Sequence, residues 1–439
     1  MTNSTPPSRL NRPLTWLGSF SLLLWLVGCA APQGEGDWAQ WRGPNGAGVS
    51  TLGDLPVDWG QNGKNVKWKI KPPARGVSQP IVIDGRIYLT GSRGGRGPIE
   101  RTVAALDLED GSLLWETIIS ERRGERKHHR FGSHSTPTSV SDGSTVWAYF
   151  GGYLAALSLE GELLWRVTVD ESYWTTSRYG AASSPILAGR AVIVFSDDEW
   201  GDEGKRSRSS WMAAYDRESG EEMWRNTWED TCCSYATPVL RHGGDDLEIV
   251  IATTPFILGF DAATGERLWQ LDLDVTQVVP GLAVSGDMLI QAGAVHNKKI
   301  VAYRVEGTGT ATHGERVWEE KRASPELASP VVYQDLLFTV SPGGIMTCFE
   351  PQTGELVWRD RLPKGDYRSA MVAGDGKLYV MSLGGITYVV EAGREFRLLA
   401  TNDLAEFTES SIALAAGCLL VRTEDHLYCI EQGSGPPDS

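Results

Sequence analysis

The sequence lacks the signatures of several common catalytic and nucleic-acid-binding classes. It contains no Gly-x-Ser-x-Gly elbow, no His-Glu-x-x-His helix and no Gly-x-x-x-x-Gly-Lys phosphate loop. Its 41 basic residues are outnumbered by 56 acidic ones, and the net charge of −15 argues against nucleic acid or an anionic membrane surface as a partner. Cysteine is scarce, with six in 439 residues, a thin use that is still consistent with export.

Long apolar runs are also missing except near the N-terminus. The stretch from Leu14 to Val27 follows Arg9 and Arg12 and is short for a bilayer span, so it has the form of a secretion signal. It ends in Leu26-Val-Gly-Cys29, which resembles the bacterial lipobox. The resemblance implies cleavage before Cys29 and lipid attachment to its sulfur. We therefore predict a signal peptide at 1–28, a lipidated tether at 29–36 and a lipoprotein anchored on the periplasmic side of a bacterial envelope; an ordinary secretion signal is the alternative.

What the sequence does have is a tryptophan that returns every 40 to 59 residues. Six of the seven copies have a glycine four residues earlier, and in four copies an apolar and an acidic residue precede that glycine. A fixed period of this length is typical of a copied supersecondary unit. The tryptophans to which we assign a blade-docking role are Trp68, Trp115, Trp165, Trp224, Trp269, Trp318 and Trp358.

Each part of the repeat has a physical reason. A carboxylate that bonds backbone N–H groups, followed by a glycine able to take a positive φ, makes a tight turn between two antiparallel strands, as in Asp261-Ala-Ala-Thr-Gly265. The tryptophan then begins the next strand, where its ring can cover the joint between neighbouring sheets. The repeat therefore predicts hairpins whose outer strand carries a tryptophan.

A second series gives an independent count of the units. Strand openers with proline recur six times, and weaker copies stand at Ser369-Ala370 and Ser411-Ile412. Proline is tolerated where a strand begins because no ladder bond is lost there. Eight units of four strands predict an all-β, eight-bladed propeller in which Asn65 to Trp68 completes the last blade. The six proline openers are Gln79-Pro80, Thr136-Pro137, Ser184-Pro185, Thr237-Pro238, Val279-Pro280 and Ser329-Pro330.

The repeat resembles that of the pyrroloquinoline quinone (PQQ)-type propeller family, with the best match from Gly259 to Trp269. The segments Trp38 to Pro44 and Ser183 to Leu187 look like those of secreted bacterial propellers of this group. The resemblance implies one propeller domain over 37–431, and we expect 432–439 to be a disordered tail. One branch of the family comprises quinoprotein dehydrogenases that hold PQQ and Ca²⁺; another is the propeller lipoprotein of outer-membrane β-barrel assembly, a scaffold without a cofactor.

Strand alternation sorts the loops onto two faces, which we name here. The connector face carries the blade-to-blade connectors and the loops between second and third strands; the turn face carries the other two turns. Long connectors at 115–137 and 165–185 and long loops at 91–101 and 196–210 belong to the connector face, so we expect function there. The candidate partner-binding residues are Arg122, Arg123, Arg126, His128, His129, Arg130, Tyr173, Trp174, Arg178 and Tyr179.

Cations beside aromatic rings suit an anionic or extended polypeptide partner, while a solvated charged loop is the plainer interpretation. A metal site is not predicted at His128-His129, because adjacent side chains point in different directions and no carboxylate cluster accompanies them. The acidic run from Asp197 to Glu203 lacks the ligand spacing of a Ca²⁺ loop.

Two cysteine pairs remain. A vicinal disulfide beside the cofactor is a feature of some quinoprotein alcohol dehydrogenases, so Cys232-Cys233 keeps a PQQ-dependent dehydrogenase open as the alternative to a non-catalytic, monomeric scaffold with protein partners. We could not match the calcium ligands or catalytic Asp of those enzymes residue by residue. Cys418 and Cys429 lie on the two arms of a hairpin, where a bridge or two buried thiols would fit.

Overall fold

A computed structural model describes residues 1, 34, 36–94, 97–123, 133–176, 180–197, 210–243, 246–322, 324–363 and 365–435. In these residues the chain forms eight four-stranded antiparallel sheets, each with its strands in sequence order except the last. The predicted eight-bladed, all-β propeller is therefore confirmed. Helix is limited to α1 (Tyr173–Thr176) and the 3-10 turns Pro44–Gly46 and Gly309–Ala311 among the described residues.

The blades follow one another along the chain. Blade 1 comprises β2 (Ile81–Ile83), β3 (Arg86–Arg93), β4 (Ile99–Asp107) and β5 (Leu113–Arg122), and blade 2 comprises β6 (Val140–Ser141), β7 (Thr145–Tyr149), β8 (Tyr153–Ser158) and β9 (Leu163–Thr168). Blade 3 comprises β10 (Ile186–Ala188), β11 (Ala191–Asp197), β12 (Ser210–Asp216) and β13 (Glu222–Trp228). Blade 4 comprises β14 (Val239–Gly243), β15 (Asp246–Ala252), β16 (Phe256–Asp261) and β17 (Arg267–Asp272).

Blade 5 comprises β18 (Ala283–Ser285), β19 (Met288–Ala292), β20 (Ile300–Glu306) and β21 (His313–Glu320), and blade 6 comprises β22 (Val331–Tyr333), β23 (Leu336–Val340), β24 (Ile345–Phe349) and β25 (Leu356–Arg361). Blade 7 comprises β26 (Val372–Gly374), β27 (Lys377–Met381), β28 (Ile386–Glu391) and β29 (Leu398–Asp403). Blade 8 comprises β30 (Ala413–Ala415), β31 (Cys418–Arg422), β32 (Leu427–Glu431) and β1 (Val66–Ile70).

The ring closes as predicted, with the N-terminal strand as the outer strand of blade 8. Trp68 of β1 lies opposite Cys429 of β32 in an antiparallel pair. The C-terminal end adds to this closure, because Ser434 accepts a hydrogen bond from the amide of Asn65 at 2.8 Å, and the amide of Gly433 donates to Asn65 Oδ1 at 3.0 Å. The predicted disordered tail at 432–439 thus starts too early; residues 436–439 lie outside the described part.

Five of the seven repeated tryptophans hydrogen-bond the following blade, and we call this series of contacts the tryptophan belt. The indole Nε1 of Trp115 donates to the carbonyl of Leu159 in the following blade at 2.9 Å. Its ring lies so close to Gly161 that a Cβ there would come within 2.4 Å of it. The same bond links Trp68 to Leu108, Trp165 to Arg217, Trp318 to Pro351 and Trp358 to Gly393.

Blade 5 departs from this belt. Its last turn contains the 3-10 turn Gly309–Ala311, and Gly314 lies inside β21 against Leu271 instead of in the turn. The indole of Trp269 therefore bonds Glu248 Oε2 of its own blade, at 3.0 Å. Gly314 therefore has a different structural role from the other five glycines of the sequence repeat.

A second ring of contacts, the hydroxyl belt, surrounds the central channel. The amide of Gln79 in blade 1 donates to the hydroxyl of Thr138 in blade 2 at 3.0 Å, and the amide of Thr138 donates in turn to Ser184 at 3.0 Å. Because these groups are buried, each bond satisfies a backbone donor that water cannot reach. Further bonds of this kind run from Ser184 to Thr237, from Gly281 to Ser329 and from Ala370 to Ser411.

The channel is filled from the turn face by residues 38–50. Trp38 pairs with Val82 of the innermost strand of blade 1 and is fully buried. Arg42, only 2% exposed, donates to the carbonyls of Ala47 and Pro330, while its own amide bonds Gln79 Oε1 at 2.7 Å. Burial lowers the pKa of Arg42 to about 10. This segment contacts opposite sides of the ring and so acts as an internal plug.

The two candidate cysteines of blade 8 are free thiols. Cys418 is paired with Glu431 and Cys429 with Leu420, so the register does not place the cysteines opposite each other. Both are buried, and the Cys418 thiol beside it, together with burial, raises the pKa of Cys429. Buried thiols with raised pKa values are inert toward oxidants.

Candidate binding face

The connector face is the irregular side of the molecule, and the structure describes part of the cationic cluster predicted on it. Arg122 ends β5, where it forms an ion pair with Glu171 at 3.5 Å and lies 5.2 Å from the ring of Trp174. Arg123 follows it directly and is the last described residue before the gap. Arg126, His128, His129, Arg130, Arg178 and Tyr179 lie outside the described residues.

Tyr173 and Trp174 are placed differently from the prediction. We expected their rings to be available to a partner, but they are 7% and 2% exposed. Their rings fill the space above Gly151 and Gly152, where an added Cβ would come within 2.2 and 2.0 Å of them. Two adjacent glycines in the loop of blade 2 therefore provide the seat for helix α1, and these aromatic residues hold the connector in place.

Trp174 nevertheless organises cations around it. The guanidinium carbon of Arg101 lies 4.4 Å from the ring centroid, and Tyr153 and Tyr173 flank the ring at 5.0 Å. Arg101 is fully buried. Stacking on an aromatic face lets a guanidinium remain charged in such a place. Tyr173 and Trp174, two of the ten predicted residues, thus belong to an internal support of the connector face.

An open concavity of this face lies elsewhere, where blades 8, 1 and 2 meet. One part has a volume of about 470 Å³ and the other about 370 Å³, and both are lined by Arg75, Ser92, His134 and Glu424. They therefore form one continuous groove, which we call the closure groove. The residues that line it otherwise include Lys71 to Ala74, Arg93, Gly94, Ile99, Phe407 to Ser410, Arg422 and Asp425.

The walls of the closure groove carry opposite charges. Lys71 and Arg75 are exposed on one side, and neither forms an ion pair with another described residue. Glu424 and Asp425 are exposed on the other side, near Glu409. Burial raises the pKa of Glu409; the charge of Arg368 opposes this rise, and the charge of Glu424 adds to it. Phe407, 46% exposed, adds an apolar contact point.

Arg422 forms the floor of the groove and fixes the ring closure. It is 1% exposed and donates to Ser78 Oγ at 2.7 Å, to the Thr90 carbonyl at 2.9 Å and to the Ala74 carbonyl at 3.1 Å. Burial lowers the pKa of Arg422 to about 10. Because one side chain of blade 8 bonds three residues around blade 1, the groove has a rigid base.

The vicinal cysteines lie on the connector face between blades 3 and 4, joined by a disulfide. Next to them is Asp197, which is 4% exposed. Burial raises the pKa of Asp197 to about 6, although hydrogen bonds from Thr253, Ser210 and the amide of Ser234 oppose this rise. A buried carboxyl beside a disulfide is the one arrangement in the described residues that invites comparison with a redox enzyme.

The residues around the disulfide do not fit a calcium-bound quinone. Ca²⁺ takes six to eight oxygen ligands, usually from several carboxylates, whereas no group of three or more His, Cys, Asp or Glu side chains converges anywhere in the described part of the chain. Both oxygens of Asp197 already accept hydrogen bonds from the protein. The adjoining cavity, bounded by Tyr149, Tyr173 and Ser183, has room for about one water, with a volume near 20 Å³.

The fold and the face together define a closed repeat propeller with irregular loops on one side and, in the residues described, no cluster of three or more His, Cys, Asp or Glu side chains that could hold a metal ion. No described helix has the length and apolar character needed to cross a bilayer. The chain belongs to the outer membrane protein assembly factor BamB family, whose model matches residues 47–200 and 208–436.

Individual relatives come from both branches of the propeller group. The outer membrane protein assembly factor BamB of Yersinia pestis is 21% identical over 321 residues, which cover 70% of this chain and 71% of the relative. The quinohemoprotein alcohol dehydrogenase ADH-IIG of Pseudomonas putida is 32% identical over 160 residues, but these cover 34% of this chain and only 19% of that enzyme. The crystal structure of BamB from Moraxella catarrhalis superposes with a TM-score of 0.56 at 13% identity, covering 83% of this chain and 98% of that one.

Proposed function

We propose that this protein is a lipid-anchored, monomeric and non-catalytic scaffold of the bacterial cell envelope that binds a protein partner with its connector face. Membership of the assembly-factor family supports a role in outer-membrane assembly. The observation that carries the choice of face is the closure groove, which combines exposed cations, exposed carboxylates and an exposed phenylalanine on a rigid base. Such a mixture suits an extended polypeptide, which offers backbone polar groups and charges of both signs.

The position of the N-terminal segment supports anchoring away from this groove. Gly36 accepts a hydrogen bond from the amide of Ala416 at 2.9 Å, in the turn between β30 and β31. Asp37 Oδ1 accepts from the amide of Asp84, in the turn between β2 and β3, at 3.1 Å. Both turns belong to the turn face, so a tether that starts at Cys29 joins the body on the side opposite the closure groove.

The anchoring part is tested by metabolic labelling with a radioactive fatty acid. We expect the wild-type chain to carry label and to sediment with membranes, and Cys29→Ala to lose the label and become soluble after export. An unlabelled wild type whose fractionation does not change in the variant contradicts the anchor. Folding of the variant is checked by the near-ultraviolet circular dichroism of its tryptophans.

The choice of face is tested by site-specific photo-cross-linking. A photoreactive phenylalanine analogue replaces Phe407 in the groove or Leu356 on β25, and these two apolar side chains are 46% and 47% exposed. We expect a defined protein adduct in cells from the Phe407 position and none from the Leu356 position. Equal adducts from both positions, or adducts from Leu356 alone, would move the partner away from the connector face.

The alternative, a PQQ-dependent dehydrogenase, has one observation in its favour, which is the disulfide Cys232–Cys233 on the connector face. Titration of the purified protein with PQQ and Ca²⁺ separates the two functions. We expect no bound chromophore in the absorption spectrum and no dye reduction with alcohols. A stoichiometric chromophore with turnover would overturn the scaffold and establish the enzyme.

A further inference from the structure

A short segment, residues 231–235, joins three blades on the connector face and carries the disulfide between Cys232 and Cys233. It follows the outer strand of blade 3 and leads to the inner strand of blade 4. We call it the disulfide hub. Its contacts differ from those of every other described connector, because it pairs with loops of both following blades.

Four backbone hydrogen bonds make these ties. Cys232 and Thr254 of blade 4 exchange two bonds, at 2.9 and 3.2 Å. The amide of Tyr235 donates to the carbonyl of Val278 at 2.8 Å, and the amide of Val278 donates to the carbonyl of Cys233 at 2.9 Å. The loop that contains Val278 leads into blade 5, so the hub connects blades 3, 4 and 5.

A carboxylate completes the junction from the side of blade 3. Asp197 Oδ2 accepts from the amide of Ser234 at 3.1 Å and from the Thr253 hydroxyl at 2.6 Å. Its Oδ1 accepts from the hydroxyl of Ser210 at 2.7 Å. The hydrogen bonds that satisfy the buried carboxylate of Asp197 therefore require the hub and the loop of blade 4 to keep their positions.

The backbone of the hub is held in a conformation that its sequence does not favour. Cys233 has a φ of 71°, in the left-handed region, which a residue with a Cβ enters only at an energetic cost. The cross-link to its neighbour restricts both residues of the turn. When the bond between the two sulfurs is broken, that restriction disappears and Cys233 is free to return to a common conformation.

The two cysteines of the bridge differ in their exposure as residues. Cys232 is half-buried, whereas Cys233 is 2% exposed. An attacking thiolate therefore reaches Cys232, with Cys233 as the leaving group. The other described cysteines, Cys348, Cys418 and Cys429, are buried thiols, and burial raises the pKa of Cys348 to about 12. Within the described chain the hub is the site open to thiol chemistry.

We propose that the Cys232–Cys233 disulfide is a reversible redox site whose reduction by a dithiol loosens the connector face at blades 3 to 5. A thiolate of the dithiol attacks Cys232 Sγ and breaks the Sγ–Sγ bond, and Cys233 leaves as a thiolate that takes a proton from water. The second thiol of the reductant then attacks the reductant's first sulfur, which is bonded to Cys232 in the mixed disulfide. This step releases Cys232 as a thiolate, which also takes a proton from water. The protein gains two electrons and two protons, and the dithiol becomes a disulfide.

The consequence for the structure is local. In the reduced protein the disulfide no longer restrains the segment that makes the four backbone hydrogen bonds, so we expect these bonds to open more often. The tryptophan and hydroxyl belts are unaffected. The proposal rests on the geometry of the hub and not on the scaffold function, so a scaffold that fails to bind would leave it intact.

Hydrogen–deuterium exchange of the full-length protein, before and after treatment with dithiothreitol, tests it. We expect peptides that cover 231–235, 253–255 and 276–278 to exchange about tenfold faster after reduction, while peptides from β27 and β28 keep their rates. Mass spectrometry after alkylation should show two labelled cysteines per folded molecule, at Cys232 and Cys233. Reoxidation should restore slow exchange.

The variant Cys232→Ser/Cys233→Ser provides the matched control. It should exchange like the reduced wild type under all conditions, and dithiothreitol should not change it further. A disulfide that resists dithiothreitol in the folded protein overturns the proposal. Reduction without faster exchange at the hub overturns it as well, as does faster exchange in every blade, which would make the disulfide a staple of the whole fold.

Discussion

The turn side and the connector face of this propeller are held together in different ways. Next to the turn face, the same contact recurs from blade to blade, as an indole of one blade bonds a turn carbonyl of the next. On the connector face each site is individual, such as the stack on Trp174, the floor at Arg422 and the disulfide hub. Repeated contacts explain why a ring forms, whereas the individual sites set one blade apart from the others and are where binding is expected.

The largest expected effect comes from removing the space that the tryptophan belt needs. In Gly161→Ala the new Cβ would lie 2.4 Å from the ring of Trp115, in addition to a φ of 89° that alanine disfavours. We expect the free energy of unfolding in urea to fall by about 3–4 kcal/mol. Gly143→Ala is the control, because Gly143 has a φ of 94° and open space around it, so only about 1 kcal/mol should be lost. Equal losses would show that the belt contact is unimportant.

An intermediate effect is expected from Glu406, which anchors the connector face beside β1. It accepts hydrogen bonds from Tyr428 and Thr423 at 2.6 Å and from Lys69 at 2.8 Å. Burial alone would raise the pKa of Glu406, but these bonds, together with one to His426, outweigh it and lower the pKa to about 2. Because the folded pKa is depressed, the stabilisation is present above the unfolded pKa near 4.3 and is lost as the pH falls toward 2.

Glu406→Gln should therefore cost about 2–3 kcal/mol at pH 7 and much less at pH 2.5. Urea unfolding followed by tryptophan fluorescence at several pH values measures the difference between wild type and variant. If that difference does not change with pH, the ionised carboxylate is not the stabilising species.

The smallest effect is expected in the hydroxyl belt. Thr138→Val removes the acceptor for the buried amide of Gln79, at a cost of about 1–2 kcal/mol. Thr387 is equally buried, and its hydroxyl has no hydrogen-bond partner among the described residues. Thr387→Val should thus be neutral or stabilising by up to about 1 kcal/mol. Thermal unfolding of the two variants in parallel decides whether the hydroxyls of the belt act through their bonds.

The fold was predictable because its signals are repeated and local. A carboxylate and a glycine specify each turn, and the tryptophan marks the outer strand, so the count of blades and the closing role of Trp68 could be read from the sequence. The hydroxyl belt was missed, although Thr237 and Ser329 stood among the recognised openers. Proline beside these residues indicates a strand start, whereas the hydroxyls carry no local sign of the distant amides that they bond.

The site was less predictable because it depends on contacts between distant residues. Nothing near Tyr173 and Trp174 in sequence shows that Gly151 and Gly152 leave room for their rings. The closure groove combines residues 71–94 with 407–425, which only the closed ring brings together. Likewise, the burial of Arg42 and Arg422 could not be read from the sequence, because their carbonyl acceptors, such as those of Pro330 and Thr90, are distant along the chain.

The contact between Gly36 and Ala416 sets a length scale for the anchored protein. Seven residues, 30–36, separate the proposed lipidated cysteine from this contact, and a fully extended chain of that length spans at most about 25 Å. The turn face of an anchored molecule would thus remain close to the bilayer, while the short tether would still allow the propeller to tilt relative to the membrane. The closure groove, on the opposite face, would then point away from the bilayer at a limited height, so it would meet partners that extend from the membrane by about the thickness of the propeller.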